Sequence, residues 1–418
     1  MRIAHLLRKY NPAEWGGTET VITQLTDGLR RQGVGSIVYS PRIAMDDTPD
    51  PLAAAGCAVR RFDACVPIWG ISPEFRRQMI AVGGNLMSFD LIRALWSTPC
   101  SAIHSHTLGR IGGIGLTIAR QKKIPFVVTI HGGVYDLPAA MRRDFNAPRE
   151  RGWEWGKLFG VLLKSRRLLQ EADAIITCNE REAALIRKQH PDRQVIVHPH
   201  GVPAQLYQVD RRPAARAAFP EIRDRPVLLS VGRIDPVKNQ SWLVEQLPEL
   251  LRRHPRLVLV LAGPCTDAPY GDALSRRIAQ LGLGGNILLT GKLPPGDERL
   301  IGLMQEAQAV VLPSISETFG LVILEAWAAG TVVVSSRTSG ASALIEHGKN
   351  GWLFDLDDPV AFQEALATTL RDPVTRGSVA AAGRKRASAD FDTGVLAARM
   401  RQLYQRLEEE KHAHRNHS

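Results

Sequence analysis

The sequence predicts an α/β protein made of two domains, each built around a parallel β-sheet. Short apolar runs alternate with longer segments of helical periodicity along the chain, which is the order typical of parallel sheets. The length of 418 residues is sufficient for two such domains with complete cores. We expect a first domain over residues 1–205, a second over residues 206–394, and a last helix over residues 395–418.

The first half begins with an apolar strand at residues 3–7, followed by a loop that carries Gly16 and Gly17. This glycine pair permits positive φ angles and a close approach of the backbone to a ligand, although a plain turn has the same composition. A helical pattern then runs from Val21 to a stop at Gly33. Residues 44–66 are rich in turns and predict no element. Further strands are predicted at residues 36–39, 101–106, 125–130, 174–177 and 195–197, with a helix at residues 111–120.

Histidines lie on or after two of these strands. His131 follows the strand at residues 125–130 and precedes two glycines, at the sheet edge where open α/β proteins bind ligands. A single histidine can equally be structural, so both interpretations remain open. His104 and His106 alternate with apolar neighbours, and we interpret them as sheet residues rather than metal ligands because the sequence offers no third ligand beside them.

Basic and aromatic residues are interleaved over residues 139–172, with Trp153 and Trp155 among them. The pattern favours a solvated helix with a packed aromatic face, and an interfacial surface or an acceptor-side segment is the alternative.

The second half repeats the alternation of strands and helices. Residues 207–225 carry charges and two prolines without a periodic core pattern, and we interpret them as the linker and lead-in to the second domain. Strands are predicted at residues 226–232, 257–261, 287–290, 309–312, 332–334 and 350–354, and helices at residues 242–253, 298–306, 359–370 and 395–409.

The segment of residues 314–330 carries the clearest chemistry. Strong helix formers run from residue 321 to a stop at Gly330, and Gly320 precedes them. Amide groups at such a helix N-terminus bind anionic phosphate, and the carboxylates of Glu317 and Glu325 accept hydrogen bonds from hydroxyl groups. The segment therefore predicts a nucleotide-sugar site, although a plain strand-to-helix corner with two solvated glutamates would show the same pattern.

Composition restricts the classes of protein and partner. The net charge of +11 favours anionic partners such as nucleotide diphosphates or acidic lipid surfaces, and no nucleic-acid motif is present. No apolar run approaches the 18 residues of a membrane-spanning helix. The five cysteines form no CxxC pair, so we expect neither a metal nor a disulfide framework and a cytoplasmic location.

Several of these residues together resemble the signature of the retaining GT-B glycosyltransferases of family 4. They are Gly232 and Arg233 with Lys238, then residues 316–321, and the E-x7-E pair of Glu317 and Glu325. In the first half, residues 16–19 and residues 129–132 agree with the family. The resemblance extends from near residue 1 to about residue 400.

The resemblance implies a GT-B fold, with two facing Rossmann-like domains, a cleft between them, and a last helix that returns to the first domain. It implies retaining transfer from a nucleotide-diphosphate sugar to a glycan, lipid-linked or small-molecule acceptor, in the synthesis of cell-surface polysaccharide or glycoconjugate. Independently of the resemblance, the basic and tryptophan-containing stretch from Arg142 to Arg167 admits peripheral contact with the inner face of an anionic membrane. A non-catalytic nucleotide-sugar-binding protein and a nucleotide-sugar epimerase on the same fold are the alternatives.

By resemblance, Arg233 and Lys238 hold the diphosphate, Glu317 the donor sugar and Glu325 the ribose. The expected catalytic residues are Glu317, His131, Arg233 and Lys238. The expected donor-binding residues are Gly17, Arg233, Lys238, Gly291, Lys292, Leu293, Glu317, Phe319, Gly320, Leu321, Val322 and Glu325. No Asp-x-Asp pair is placed for a metal, so we expect a metal-independent enzyme without a cofactor.

Two positions depart from the family pattern. His200 stands where many members have asparagine before Gly201, and Ala343 stands where many have glutamate. The second departure weakens the inference for donor binding by that loop and leaves the expected catalytic residues unchanged.

Overall fold

The computed structural model describes residues 1–12, 16–43, 50–132 and 153–416. The chain divides into two compact units. The first consists of Met1–Pro199 together with Thr393–Ser418, and the second of His200–Asp392. Both contain a parallel sheet flanked by helices, so the predicted α/β class with two parallel-sheet domains is confirmed.

The first unit contains a seven-stranded parallel sheet. Its strands are β1 (Arg2–Leu6), β2 (Gly35–Pro41), β3 (Ala58–Phe62), β5 (Ala102–Ser105), β6 (Phe126–Ile130), β8 (Ala174–Thr177) and β9 (Val195–Val197). They lie in the order β3-β2-β1-β5-β6-β8-β9. Two short strands, β4 (Ile68–Trp69) and β7 (Trp153–Glu154), form a separate antiparallel pair. The helices are α1 (Gly17–Arg31), α2 (Pro51–Ala54), α3 (Pro73–Val82), α4 (Phe89–Ser97), α5 (Gly109–Lys122), α6 (Lys157–Leu162), α7 (Leu168–Glu171) and α8 (Glu180–Gln189).

The central strands of this sheet are buried on both faces. Every residue of β5 and β6 is buried, as expected for parallel strands that are covered by helices. One face packs against α5, whose Gly115 lies so close to Leu6 that a Cβ atom would be 2.5 Å from its side chain.

The second unit contains a six-stranded parallel sheet in the order β12-β11-β10-β13-β14-β15. The strands are β10 (Val227–Val231), β11 (Val258–Ala262), β12 (Ile287–Gly291), β13 (Ala309–Leu312), β14 (Val332–Ser336) and β15 (Trp352–Phe354). The helices are α9 (Arg212–Ala218), α10 (Gln240–Arg253), α11 (Ala268–Gln280), α12 (Glu298–Glu306), α13 (Leu321–Ala329), α14 (Ser339–Leu344), α15 (Pro359–Arg371) and α16 (Pro373–Asp390).

The C-terminal helix α17 (Thr393–Asn416) packs on the first unit. Its residues Met400, Leu403, Tyr404 and Leu407 join a buried apolar cluster with Ile3 and its neighbours on the sheet. Gly28 of α1 allows the two helices to approach, because a Cβ atom there would lie 2.7 Å from the Cβ of Ala397. The apolar face of α17 therefore completes the core of the first unit.

Residues 207–225 lead into the second domain as expected, since they belong to the second unit, but they are packed rather than a free linker. Tyr207 is buried, and α9 packs closely against α12, where Gly302 leaves room for the backbone of Arg211. This helix is short and alanine-rich, so it lacks the large apolar residues that would reveal its periodicity.

The sequence analysis also missed two long helices. Asp267 and Asp372 precede them, and their carboxylates accept hydrogen bonds from first-turn amides of α11 and α16. A proline follows each aspartate within two residues, in the first turn, which is a recognisable helix start. In both helices the N-terminal cap identifies where the helix begins, whereas the apolar pattern does not.

The basic and aromatic segment of residues 139–172 is described only in part. Residues 133–152 lie outside the described residues, and β7, α6 and α7 follow them. No helix in the described part of the chain is both long and apolar enough to cross a membrane.

Candidate active site

The loop after β13 leads into α13 through a glycine that no other residue could easily replace. Gly320 has φ of +94°, in the left-handed region, and directly precedes the helix. The amides of Leu321 and Val322 follow it in the first turn of α13. Phe319 is buried beneath the loop, where its ring meets that of His200 edge to face at 4.7 Å. The predicted helix N-terminus is therefore present, on an apolar support.

The first turn of α14 holds this segment from the side. The amide of Gly340 donates a hydrogen bond to the carbonyl of Glu317 at 2.8 Å, and the hydroxyl of Ser339 donates to the same oxygen at 3.2 Å. A Cβ atom on Gly340 would lie 2.6 Å from the amide nitrogen of Phe319. The absence of a side chain at residue 340 thus allows the backbone of α14 to fix the position of Glu317.

Lys238 and Glu317 form an ion pair. Their side chains are 21% and 25% exposed, so both remain accessible to a ligand. The segments that carry them are also joined through the backbone, because the amide of Ile315 donates to the carbonyl of Val237 at 2.8 Å. The structure therefore brings together two residues that the sequence predicted for one site.

Arg233 lies in the same loop as Lys238 but is more exposed, at 56%. Its guanidinium is 3.0 Å from the carboxylate of Asp235, which also accepts a hydrogen bond from the amide of Lys238 at 2.9 Å. Asp235 is buried, so its contacts fix both the loop and the arginine. The sequence analysis missed Asp235; its position between the two expected cations was the available clue.

The carboxyl ends of β10, β11 and β12 meet beside the loop that carries Arg233 and Lys238. The amide of Gly263 donates to the carbonyl of Gly291 at 3.0 Å, and a Cβ atom on Gly263 would lie 2.0 Å from the carbonyl oxygen of Gly232. Gly291 and Lys292 are exposed and Leu293 is partly buried. The expected donor-binding residues Gly291, Lys292 and Leu293 thus lie at the same sheet edge as the loop that carries Arg233.

Glu325 differs from Glu317 in its surroundings. It is 7% exposed, and the hydroxyl of Tyr207 hydrogen-bonds to its carboxyl group. Burial raises the pKa of Glu325 to about 7, and the bond from Tyr207 opposes the rise. Burial and the nearby Glu325 likewise raise the pKa of Tyr207. Tyr207 was missed because it lies in the segment interpreted as a linker.

In the first unit, the glycine loop leads into α1. Gly16 precedes the helix without a side-chain cap, and Gly17 is its exposed first residue. Gly16 has φ of −137° and Gly17 is not among the glycines with positive φ, so the left-handed conformation that the glycine pair permits is not adopted here.

His131 follows β6, is half-buried, and lies beside a group of buried histidines. Its Nε2 is 3.0 Å from Nδ1 of His106, and Nε2 of His106 is 3.1 Å from Nδ1 of His5. His104 contacts two hydroxyl groups instead, those of Tyr404 and Thr129, each at 2.6 Å. Burial lowers the pKa of His5 to about 3 and that of His131 to about 4, so both rings are neutral near pH 7.

The sequence placed His104 correctly in the sheet, whereas His106 directly follows the last residue of β5. The expectation that no third ligand lies beside them was wrong. His5 on β1 is the register partner of His104 on β5. Side-chain nitrogens of His5, His104 and His106 lie within 4.8 Å of one another, which is the one grouping with metal-ligand spacing that the described residues contain. The sequence could not reveal it, because the order of strands in the sheet brings β1 beside β5.

Both halves of the chain match families of known proteins. Residues 16–201 match the glycosyl transferase 4-like domain, and residues 211–386 match the glycosyl transferases group 1. The chain is 32% identical over 386 residues to a D-inositol 3-phosphate glycosyltransferase of Frankia alni, covering 89% of this chain and 90% of that protein. It is 28% identical over 415 residues to a protein of the same name from Thermobispora bispora, covering 95% and 91%.

Solved structures show the same fold over nearly the whole chain. Anabaena HepE in complex with UDP has a TM-score of 0.74 at 19% identity, covering 97% of this chain and 100% of that one. Sucrose-phosphate synthase from Thermosynechococcus elongatus has a TM-score of 0.71 at 22% identity, covering 97% and 98%.

Proposed function

The chain belongs to the GT-B glycosyltransferases of family 4, and from this premise we propose that it transfers a sugar from a nucleotide-diphosphate sugar with retention of anomeric configuration. The observation that carries the proposal is the ion pair of Lys238 and Glu317 next to the helix start at Gly320. Cationic and amide groups there suit a diphosphate, and the carboxylate suits sugar hydroxyls.

The leaving diphosphate gains negative charge as its bond to the anomeric carbon breaks. Lys238, Arg233 and the amides after Gly320 oppose that charge with fixed positive groups, which lowers the barrier more than it strengthens ground-state binding. Donor binding also gives Lys238 a second anionic partner beside Glu317. Its pairing with Glu317 holds the ammonium in place before the donor arrives, so little rearrangement is needed.

The proposed retention of anomeric configuration follows from the concentration of positive charge at the leaving diphosphate. The new bond forms between the acceptor oxygen and the anomeric carbon, and the acceptor proton passes to an oxygen of the departing phosphate. No step in this scheme requires a covalent sugar on the protein or a resident metal ion. The scheme requires positive charge beside the diphosphate, and the loop that carries Arg233 and Lys238 supplies it.

The experiment is a donor screen followed by product analysis. HepE binds UDP and was also solved with UDP-glucose, so uridine donors are the first to test. A donor at 100 times its Kd should stabilise the chain by about 2.7 kcal/mol in a thermal shift assay. The relatives' name makes an inositol phosphate the first acceptor, ahead of glycans and lipid-linked sugars.

Proton NMR of the early product then decides the stereochemistry. An α-linked donor should give an α-linked product, and a β-linked product would overturn the mechanism. Epimerised donor without acceptor would indicate the epimerase alternative, and binding without turnover on any acceptor would indicate a non-catalytic protein.

We also propose that the first unit contacts an anionic membrane from the cytoplasm. Trp69 and Trp153, 61% and 64% exposed, pair across β4 and β7 with ring centroids 5.0 Å apart. Val161 and Leu162 at the end of α6 are also exposed, and Lys157 begins that helix. An exposed aromatic pair near basic residues is typical of an interfacial surface.

Co-sedimentation with vesicles of anionic and of neutral lipid tests this surface. Binding to anionic vesicles should weaken as salt rises. A Trp69→Ser, Trp153→Ser variant should lose binding, and a Trp96→Ser variant, which removes an exposed tryptophan of α4, should keep it. No binding to anionic vesicles at low salt would refute the proposed membrane contact.

A further inference from the structure

The two cations in the loop after β10 have acidic partners of different kinds. Lys238 pairs with Glu317, whose side chain is 25% exposed and remains accessible to a ligand. Arg233 pairs with Asp235, and 3.0 Å separates the guanidinium nitrogen from the carboxylate oxygen. The side chain of Asp235 is only 9% exposed. Its carboxylate is therefore poorly placed to meet a ligand itself, and it acts on a ligand through the groups that it contacts.

The position of the Asp235 carboxylate is fixed by the backbone around it. Its Oδ1 accepts a hydrogen bond from the amide of Lys238 at 2.9 Å. The carbonyl of Asp235 accepts from the amides of Lys238 and Asn239, each at 3.2 Å. Asn239 then reverses the chain in the left-handed region, with φ of +57°. Because its carboxylate and its carbonyl are both bound, Asp235 offers Arg233 a partner in one defined place.

The backbone of Arg233 is held by other residues. Nε2 of Gln240, which is buried, donates to the carbonyl of Arg233 at 2.8 Å. The amide of Ile234 donates to the carbonyl of Pro264 at 2.8 Å. The side chain of Arg233 is 56% exposed, and Asp235 is the acidic group that pairs with it among the residues that the structure describes. The orientation of the guanidinium therefore depends on Asp235, whereas the path of the backbone does not depend on this ion pair.

A carboxylate beside a diphosphate site has two opposing effects. Its negative charge repels the incoming anion. Its contact with the guanidinium restricts a long side chain, which would otherwise lose its rotamer freedom only when the ligand binds. An ion pair with an exposed partner adds little to folding stability, so the main consequence of the contact is orientation. Groups that are oriented in advance oppose developing charge with the least rearrangement.

We propose that Asp235 is a positioning residue, which holds the guanidinium of Arg233 so that its other N–H groups meet the diphosphate of the donor. The proposal rests on the proposed function, because that function assigns Arg233 to the diphosphate. The restraint on the side chain is independent of it. Asp235 itself makes no contact with the donor.

Asp235→Asn separates the effect of orientation from that of charge. Asparagine can still accept from the amide of Lys238, so the loop should keep its shape, but a neutral amide does not attract the guanidinium. If orientation dominates, kcat should fall about 5- to 10-fold while the Kd of UDP changes by less than about twofold. Tighter UDP binding without a fall in kcat would show that charge alone matters, and would overturn the proposal.

Asp173 provides a matched control in the first unit. Its carboxylate accepts from the amide of Phe126 at 2.8 Å and lies 2.7 Å from Nζ of Lys411, at the amino end of β6. Like Asp235, it thus binds one backbone amide and one cation. Asp173→Asn should leave kcat unchanged, and a similar fall in kcat with both variants would reduce the Asp235 result to a general loss of an ion pair.

A double-mutant cycle shows whether Asp235 acts through Arg233. In an Arg233→Ala background, Asp235→Asn should cause no further loss of kcat/KM, because the side chain that it positions is absent. The same fold-loss in both backgrounds would mean that Asp235 acts through the packing of the loop, and would overturn the proposal.

NMR relaxation of the Arg233 Nε–H group measures the restraint directly in the full chain without donor. The signal is assigned by its disappearance in Arg233→Ala. We expect this group to be less mobile on the ps–ns timescale in the wild-type chain than in Asp235→Asn. Equal mobility in the two would refute the restraint. If the wild-type chain turns over no donor, the proposed function fails, while this measurement still decides whether Asp235 orients Arg233.

Discussion

The two units arrange functional groups at the ends of parallel strands in opposite ways. In the second unit, charged side chains such as Lys238 and Glu317 stand on loops that backbone contacts at Gly263 and Gly340 hold in place. In the first unit, the imidazoles of His5 and His131 are neutral near pH 7, and each lies against His106 at the sheet. A charged side chain loses favourable hydration when it is buried, so it stays in contact with solvent until a ligand of opposite charge replaces the water. A neutral imidazole can be buried at a much lower cost in free energy. The comparison predicts that the second unit is sensitive to loss of charge and the first to loss of hydrogen-bond partners.

The largest expected effect is on the cations of the second unit. Lys238→Ala and Arg233→Ala should each lower kcat/KM for the donor by about 10²-fold, because each removes charge that opposes the leaving diphosphate. Arg253→Ala, which removes one exposed positive charge from the end of α10, is the matched control and should leave kcat/KM unchanged. Wild-type turnover in both site variants would refute the diphosphate assignment.

The second-largest expected effect is on the backbone contact between Gly340 and the loop that carries Glu317. Gly340→Ala places a Cβ atom 2.6 Å from the amide of Phe319, so the loop that carries Glu317 must move. We expect a stability loss on the order of 2 kcal/mol and weaker donor binding. Gly377→Ala, also in a helix, has nothing within 4 Å and should stabilise the protein by about 0.5–1 kcal/mol. Chemical denaturation and calorimetric donor titration measure both. Equal behaviour of the two variants would show that the close contact does not matter.

A third prediction is that pH acts on the two units in opposite directions. Glu325 has a pKa of about 7, above its ordinary 4.5, so its contribution to stability is complete below 4.5 and is lost as pH rises towards 7. His5 and His131 have pKa values of about 3 and 4, below 6.5, so their contributions are complete above 6.5 and are lost as pH falls. Each change should be on the order of 1–2 kcal/mol between pH 5 and 6.5.

Hydrogen exchange of the full chain, corrected for intrinsic rates, can follow both units at once. From pH 6.5 to 5, peptides of β1 and β5 should lose protection while peptides of α13 gain it. Glu325→Gln should remove the response of α13 and leave that of β1. A loss of protection in both regions on acidification would contradict the burial of Glu325 as a neutral acid.

The smallest expected effect is a difference between Glu317 and Glu325 in whether substitution lowers kcat or weakens nucleotide binding. Glu317→Gln should lower kcat about 10-fold with little change in donor Kd, since its contacts with the sugar strengthen as the transition state forms. Glu325→Gln should instead weaken nucleotide binding, because a ribose contact is equal in ground and transition states. Steady-state kinetics with UDP titrations would show this division, and identical defects would reject it.

Local features of the second unit were accessible from the sequence. Helices α12 and α13 have their predicted bounds. Apolar residues recur with helical spacing in α12, and in α13 strong helix formers end directly before Gly330. Gly320, Glu317 and Lys238 could be selected since they lie in short loops after apolar strands. Asp235 and the cap residues Asp267 and Asp372 were recognisable by the same local rules, although they were missed.

The sequence by itself therefore determined the α/β class, the strand-to-helix corner at Gly320 and the residues expected to meet a nucleotide sugar. These properties depend on neighbours a few positions apart. The tertiary structure alone decided that Tyr207 bonds to Glu325 and that His5 reaches His106. Such pairs are far apart in the chain and meet only because strand order and helix packing place them together. No periodicity encodes that order, since every parallel strand of a buried sheet has the same apolar pattern.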